Sequence, residues 1–175
     1  MIYQPAEDSL LLEKFVKKYS KGKKVLDMGS GSGIQALAAL NFGAREVLAV
    51  DIDIEAVKSL KKKRLNVLRS DLFENVIGRF DLIIFNPPYL PFDLRENSES
   101  ALATSGGEKG DEIIVRFLSK ASDFLTENGR ILLVVSSLTP LDRINKIIRR
   151  NVFKKRVLAR EKFFMEELGV WKLFP

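Results

Sequence analysis

The segment Lys24-Val25-Leu26-Asp27-Met28 followed by Gly29-Ser30-Gly31-Ser32-Gly33 is the feature that most constrains this chain. An apolar run that ends in alternate glycines and passes into the helical pattern Ile34 to Phe42 reads as a buried strand, a tight loop and a helix, with Gly43 fitting its C-cap. The alternation continues. Glu46 to Val50 predicts a second strand, Ile54 to Arg64 a helix, and Asn66 to Arg69 a brief third strand. Phe80 to Phe85 predicts a fourth, apolar enough to be central in a parallel sheet. Strands alternating with helices imply an α/β fold built on a doubly wound, mostly parallel sheet.

The flanks complete the pattern. Pro5, Glu7 and Asp8 open a helix on which Leu11, Leu12, Phe15, Val16 and Tyr19 recur at helical spacing. Glu112 to Leu125 predicts another helix, Asn128-Gly129 a turn, Arg130 to Val135 a fifth strand, and Thr139-Pro140 the cap of a helix reaching about Arg150. Phe153 to Phe163 and Leu168 to Phe174 are rich in β-formers and should pair as an antiparallel hairpin, giving seven strands. The 175 residues, 46% apolar, are expected to form one domain over 1–175.

Composition removes whole reaction classes. Without cysteine there is no disulfide, thiol nucleophile or Cys-ligated metal, and without histidine the usual general base and the commonest metal ligand are missing, so no metal site is expected. No run of about 18 apolar residues exists, so the chain should avoid membranes and be cytoplasmic. The net charge of +6 suits an acidic partner such as RNA or DNA. Charges alternate in most segments, however, as on a heat-adapted surface. The late cluster Arg143, Lys146, Arg149, Arg150, Lys154, Lys155 and Arg156 is mostly accounted for as a solvated face.

The glycine loop implies a nucleotide-like cofactor, because glycines let the backbone approach a ligand at a helix N-terminus. Gly31-Ser32-Gly33-Ile34-Gln35-Ala36 also satisfies the dinucleotide pattern, which keeps an NAD oxidoreductase open. Asp51 and Asp71, at the ends of the second and third strands, lie on the ligand edge of such a sheet. Asp51 would grip ribose hydroxyls and Asp71 an adenine amino group, although Asp71 could instead cap a helix.

Asn86-Pro87-Pro88-Tyr89 begins where the fourth strand stops, and a long aperiodic segment to Gly107 follows. An amide or aminopurine nitrogen is a poor nucleophile, so a site that methylates one must accept both N–H bonds and turn the lone pair towards the methyl. The Asn86 side-chain oxygen and the Pro87 carbonyl supply two acceptors. Pro88 stiffens the loop and donates nothing, and Tyr89 offers a flat apolar face. Positioning and electrostatics then carry the rate without a basic side chain.

These residues resemble the HemK-like glutamine methyltransferases of class-1 translation release factors, within the class I S-adenosylmethionine-dependent fold. The resemblance rests on Tyr3-Gln4-Pro5-Ala6-Glu7-Asp8-Ser9, Val25 to Gly33, Asn86 to Tyr89 and Ser105-Gly106-Gly107-Glu108-Lys109-Gly110. It implies that Asp27, Gly29, Gly31, Gly33, Asp51, Asp71 and Asn86 hold S-adenosylmethionine. It implies further that Asn86, Pro87, Pro88 and Tyr89 bind the substrate, with Asn86, Pro87 and Tyr89 catalytic. With room for one helix before the glycine loop, the chain is similar to the archaeal and eukaryotic branch. There the resemblance implies N5-methylation of glutamine in a release factor's Gly-Gly-Gln loop, and a small zinc-binding activator at the sheet edge, here Asn66 to Arg69. Asp111 departs from the basic residue that some relatives carry after the glycine signature. Adenine N6-methylation of DNA or RNA presents the same two-donor group, and a non-catalytic binding module is a further alternative.

Overall fold

The computed structural model describes residues 7–88, 106–163 and 166–175. Seven strands form one sheet: β1 (Lys24–Met28), β2 (Glu46–Asp51), β3 (Asn66–Arg69), β4 (Phe80–Phe85), β5 (Leu125–Ser136), β6 (Lys154–Lys162) and β7 (Glu167–Phe174). Their order is β3-β2-β1-β4-β5-β7-β6. The pairs β1–β2, β2–β3, β1–β4 and β4–β5 are parallel, while β7 runs antiparallel to both β5 and β6. The expected hairpin therefore forms with its second strand inserted into the sheet and its first strand at the edge.

The two-residue period of the strands sorts the core into two layers. Leu26, Met28, Ile83, Phe85, Ile131 and Leu133 face α4 (Glu112–Ala121) and α5 (Asp142–Arg150), whose buried residues are Ile114, Phe117, Leu118, Ala121, Ile144 and Ile148. Val25, Val47, Leu82, Ile84, Leu132 and Val134 face the other way, against α1 (Glu7–Tyr19), α2 (Ile34–Asn41) and Leu60 of α3 (Ile54–Lys62). Strands covered on both faces are why β1 and β4 read as continuous apolar runs.

Three expectations change. The helix predicted to reach Leu125 stops at Ala121, tightens into a 3₁₀ turn over Ser122–Phe124, and gives way to β5 at Leu125. Asn128-Gly129 is then not a turn between elements but part of a bulge inside β5. Leu125 pairs with Phe80 and Arg130 with Leu82, so five steps on one strand oppose two on the other. A Cβ on Gly129 would lie 2.9 Å from the Phe80 carbonyl oxygen, which is why glycine occupies this position. Thr139 does not cap α5 either. The helix starts at Asp142, with Leu141 as N-cap and no capping side chain.

Candidate active site

The chain leaves β1 for β2 on one side and reaches β4 on the other, so the carboxyl ends of β1 and β4 flank the switch point where ligands enter doubly wound sheets. Met28 is in register with Phe85, so Gly29 and Asn86 leave the sheet at the same level. Phe85 packs against Phe117 of α4 at 4.5 Å between ring centres, which holds the strand end in place.

The three glycines of the loop have left-handed backbone, with φ of 62° at Gly29, 50° at Gly31 and 83° at Gly33, but their surroundings differ. A Cβ on Gly33 would lie 2.6 Å from Leu60 Cδ2, so this glycine permits close packing of α2 against α3. Among the described residues a Cβ on Gly31 would meet only the Gly29 carbonyl oxygen, at 4.0 Å. That opening is where a ligand can approach the backbone.

Three aspartates stand around the loop. Asp27 is 2% exposed and accepts the Ala36 N–H of α2 at 3.1 Å. Burial pushes its carboxyl up to about 7, against the lowering effect of the Ser30 hydroxyl and the Ala36 N–H, with the nearby Asp51 adding to the rise. Asp51 accepts the Gly31 N–H at 2.7 Å and the Asp53 N–H at 2.9 Å. It too is raised above the ordinary carboxylate range, chiefly by burial, and these backbone donors oppose the shift. A carboxylate has about four acceptor sites, so Asp51 retains capacity for a diol. Asp71 caps no described helix; it pairs with Arg116 of α4 at 2.9 Å. Arg116 escaped sequence reasoning because the pair spans 45 positions. Asp51 stands where either a dinucleotide or S-adenosylmethionine would place its ribose, so the loop and its aspartates alone do not separate the two cofactors.

Asn86 carries the most informative geometry. Its Nδ2 donates to Asp8 Oδ2 at 3.0 Å and lies 3.4 Å from the Ser9 hydroxyl, both in the first turn of α1. The carboxylate accepts, so the amide must turn its nitrogen towards Asp8. Its Oδ1 is buried and has no hydrogen-bond partner among the described residues. An orphaned buried acceptor costs about 1–3 kcal/mol. The arrangement makes sense when an incoming N–H donor occupies it. Asp8 reads as a helix start, and Asp8-Ser9 closes the Tyr3 to Ser9 segment that carries the resemblance, but their contact with Asn86 depends on the fold. Gln35 of α2 extends this cluster, donating to the Ser9 carbonyl at 2.8 Å.

Pro87 is buried and Pro88 partly buried; Tyr89, Tyr3 to Ala6 and Ser105 lie outside the described residues. The glycine signature packs directly on this motif. A Cβ on Gly106 would lie 2.3 Å from the Gly110 carbonyl oxygen and 2.8 Å from that of Pro88, both backbone atoms. Beside it Asp111, 1% exposed, has Arg143 Nε at 3.1 Å, off hydrogen-bonding alignment. Gly106→Ala is therefore expected to displace Pro88 and to lower kcat about ten-fold or more, since a 1 Å misplacement can cost about a hundred-fold. The cofactor Kd should hold; an unchanged kcat in steady-state assays would show that the contact is immaterial.

The family model described as methyltransferase small domain matches residues 7–165. A Methanocaldococcus jannaschii protein, provisionally named protein N5-glutamine methyltransferase, is 41% identical across 98% of this chain and 92% of its own length. The release factor glutamine methyltransferase of Agrobacterium fabrum is 32% identical across 62% of this chain, which spans 43% of that longer protein. Among solved structures, the E. cuniculi Mtq2–Trm112 complex, described as responsible for methylating the termination factor eRF1, matches with a TM-score of 0.76 and 27% identity. That match covers 98% of this chain and 97% of the other. The T. thermophilus 16S rRNA N2 G1207 methyltransferase, solved with AdoMet and guanosine, has a TM-score of 0.70 and 26% identity over 98% of this chain and 43% of its own. The strand order, the loop and these relatives converge: the chain belongs to the methyltransferase small-domain family and is an S-adenosylmethionine-dependent methyltransferase.

Proposed function

We propose that the enzyme transfers a methyl group to the side-chain amide nitrogen of a glutamine, in the Gly-Gly-Gln loop of a class-1 translation release factor. The observation that carries this reading is the buried Asn86 Oδ1 without a partner, held in orientation by Asp8. Asn86 Oδ1 accepts one N–H of the glutamine amide and the Pro87 carbonyl the other, which leaves the nitrogen lone pair directed away from both. Asp8 polarises the Asn86 amide and strengthens Oδ1 as an acceptor when positive charge develops on the glutamine nitrogen. S-adenosylmethionine supplies an electrophilic methyl on a sulfonium. Gly29, Gly31 and Gly33 shape its cradle, Asp51 takes the ribose hydroxyls, Asp71 the adenine amino group, and Asp27 lies beneath the loop. Pro88 stiffens the substrate loop, and Tyr89 is assigned the flat face for the planar amide. The released proton passes to solvent, consistent with a chain that has no histidine.

The glutamine target is supported by the names of the Methanocaldococcus and Agrobacterium relatives. The same clamp would hold an adenine N6 amino group. An activator subunit fits the sheet edge at β3, which is four residues long and has β2 on one side only. We assign it zinc-binding character from the family resemblance, residues 1–175 as one domain, and the cytoplasm as the place where it meets its substrate. No described helix is long and apolar enough to cross a membrane. The test is incubation with S-adenosylmethionine, purified release factor and activator, followed by mass spectrometry of the Gly-Gly-Gln peptide. A gain of one methyl on glutamine is expected; methylation of DNA or RNA adenine with none on the peptide would overturn the assignment.

A further inference from the structure

Part of the basic cluster late in the chain comes onto one face once β6 is placed. In an antiparallel pair, opposed residues share a face. Lys155 pairs with Leu173 and Val157 with Trp171, which puts both on the α5 side of the sheet. A bulge between Val157 and Ala159 then absorbs Leu158 and switches the alternation, so Arg160 and Lys162, opposite Gly169 and Glu167, also face the α5 side. Without that extra residue both would point to the opposite face. The exposed residues Lys146, Arg149 and Arg150 of α5 extend the same surface. Lys155 stacks over Trp171 at 4.0 Å and donates to Asn145 of α5 at 3.0 Å, joining strand to helix.

Among the described residues Lys146, Arg149, Arg150 and Lys162 of this face make no ion pair. Arg160 has only Glu167, at 3.8 Å. The Lys155 ammonium is shifted downward, first by burial and then by repulsion from Arg160 and Arg149. Lysines on an edge strand do discourage edge-to-edge pairing. That role needs no matching row on the helix. The row along β6 from Lys155 to Lys162 is roughly 20 Å long. Its exposed apolar content is small: Val157 at 36% is the large hydrophobic residue on this face of the strand. A protein interface is built around an aromatic or apolar core, whereas a phosphate backbone needs charge at intervals.

We propose that the α5–β6 face binds the phosphodiester backbone of double-stranded RNA without reading its bases. The choice of RNA over DNA rests on the proposed release-factor substrate, which works among RNA. Binding of a fluorescein-labelled 20-base-pair RNA duplex to the full chain is followed by anisotropy, in parallel with methylation of the release factor. With about four phosphates neutralised, log Kd should change with log salt at a slope near 4, so affinity falls roughly two orders of magnitude between 50 and 200 mM KCl. The variant K146Q/R149Q/R160Q/K162Q should bind at least ten-fold more weakly with a slope near 1, and should keep its methylation rate. K21Q/K58Q/K61Q/K62Q removes the same charge elsewhere and should bind as the parent does. Absence of binding at 50 mM KCl, equal loss in both variants, or a DNA duplex bound as tightly as RNA would each overturn the proposal. So would loss of release-factor methylation without loss of RNA binding, which would reassign the surface to the protein substrate. Since methylation is read separately, failure here leaves the glutamine assignment to its own test.

Discussion

Asn86→Ala is expected to lower kcat/KM for release-factor methylation by roughly a thousand-fold, the scale found when one preorganised polar group is removed from a site where charge develops. Cofactor affinity, measured by calorimetry, should stay within a few-fold, because the Asn86 side chain is tied to α1 and not to the glycine loop. Two companions sharpen the reading. Asp8→Asn keeps the shape but offers an amide in place of the carboxylate that orients Asn86, so a loss of about ten-fold in kcat with little change in KM is expected. Asn86→Asp keeps an acceptor oxygen but sets a second carboxylate 3.0 Å from where Asp8 now receives a donor, and it should be as inactive as the alanine variant. An Asn86→Ala enzyme with undiminished turnover would leave the orphaned oxygen without a function.

Asp27→Asn should stabilise the cofactor-free protein, and increasingly so as pH rises. The folded carboxyl sits near 7 and the unfolded one near 4, so between these values the folded state holds a proton that the unfolded state has released. Stability therefore falls as pH climbs through that window; below it both states are protonated, and above it the full cost is present. Three pH units correspond to about 4 kcal/mol, or roughly 8–16 °C in Tm for a chain of this size. Asparagine can still accept the Ala36 N–H and never ionises. Thermal melts should show variant and parent nearly equal at pH 4 and well separated at pH 8. A separation independent of pH would assign the effect to packing. Saturating S-adenosylmethionine should stabilise the parent more than the variant at pH 8, because a cation near the loop favours the ionised carboxylate.

Much of this was legible because it is local. The strand, glycine loop and helix from Lys24 to Asn41 follow from period and backbone freedom, and Phe80 to Phe85 was apolar enough to be read as central. The register of Met28 with Phe85 then brings Asn86 to the loop. What escaped the sequence was long-range. Asp8 reads as a helix start whether or not an amide 78 positions away rests on it, and Asp71 reads as a cap or a ligand until Arg116 arrives from α4. Leu125 reads as helix in sequence because its apolar spacing continues that of α4; only pairing with Phe80 reveals a strand. The hairpin was visible in composition, but the choice of which arm enters the sheet was not. Leu168, Val170 and Leu173 are at most 2% exposed and Trp171 7%, whereas β6 is exposed or half-buried throughout.

That placement imposes an order of assembly. β6 precedes β7 along the chain yet, among the described residues, pairs with no strand except β7, so it cannot join the sheet before its successor has docked on β5. Until then β5 presents a bare edge between Ile131 and Ser136 to any other chain nearby.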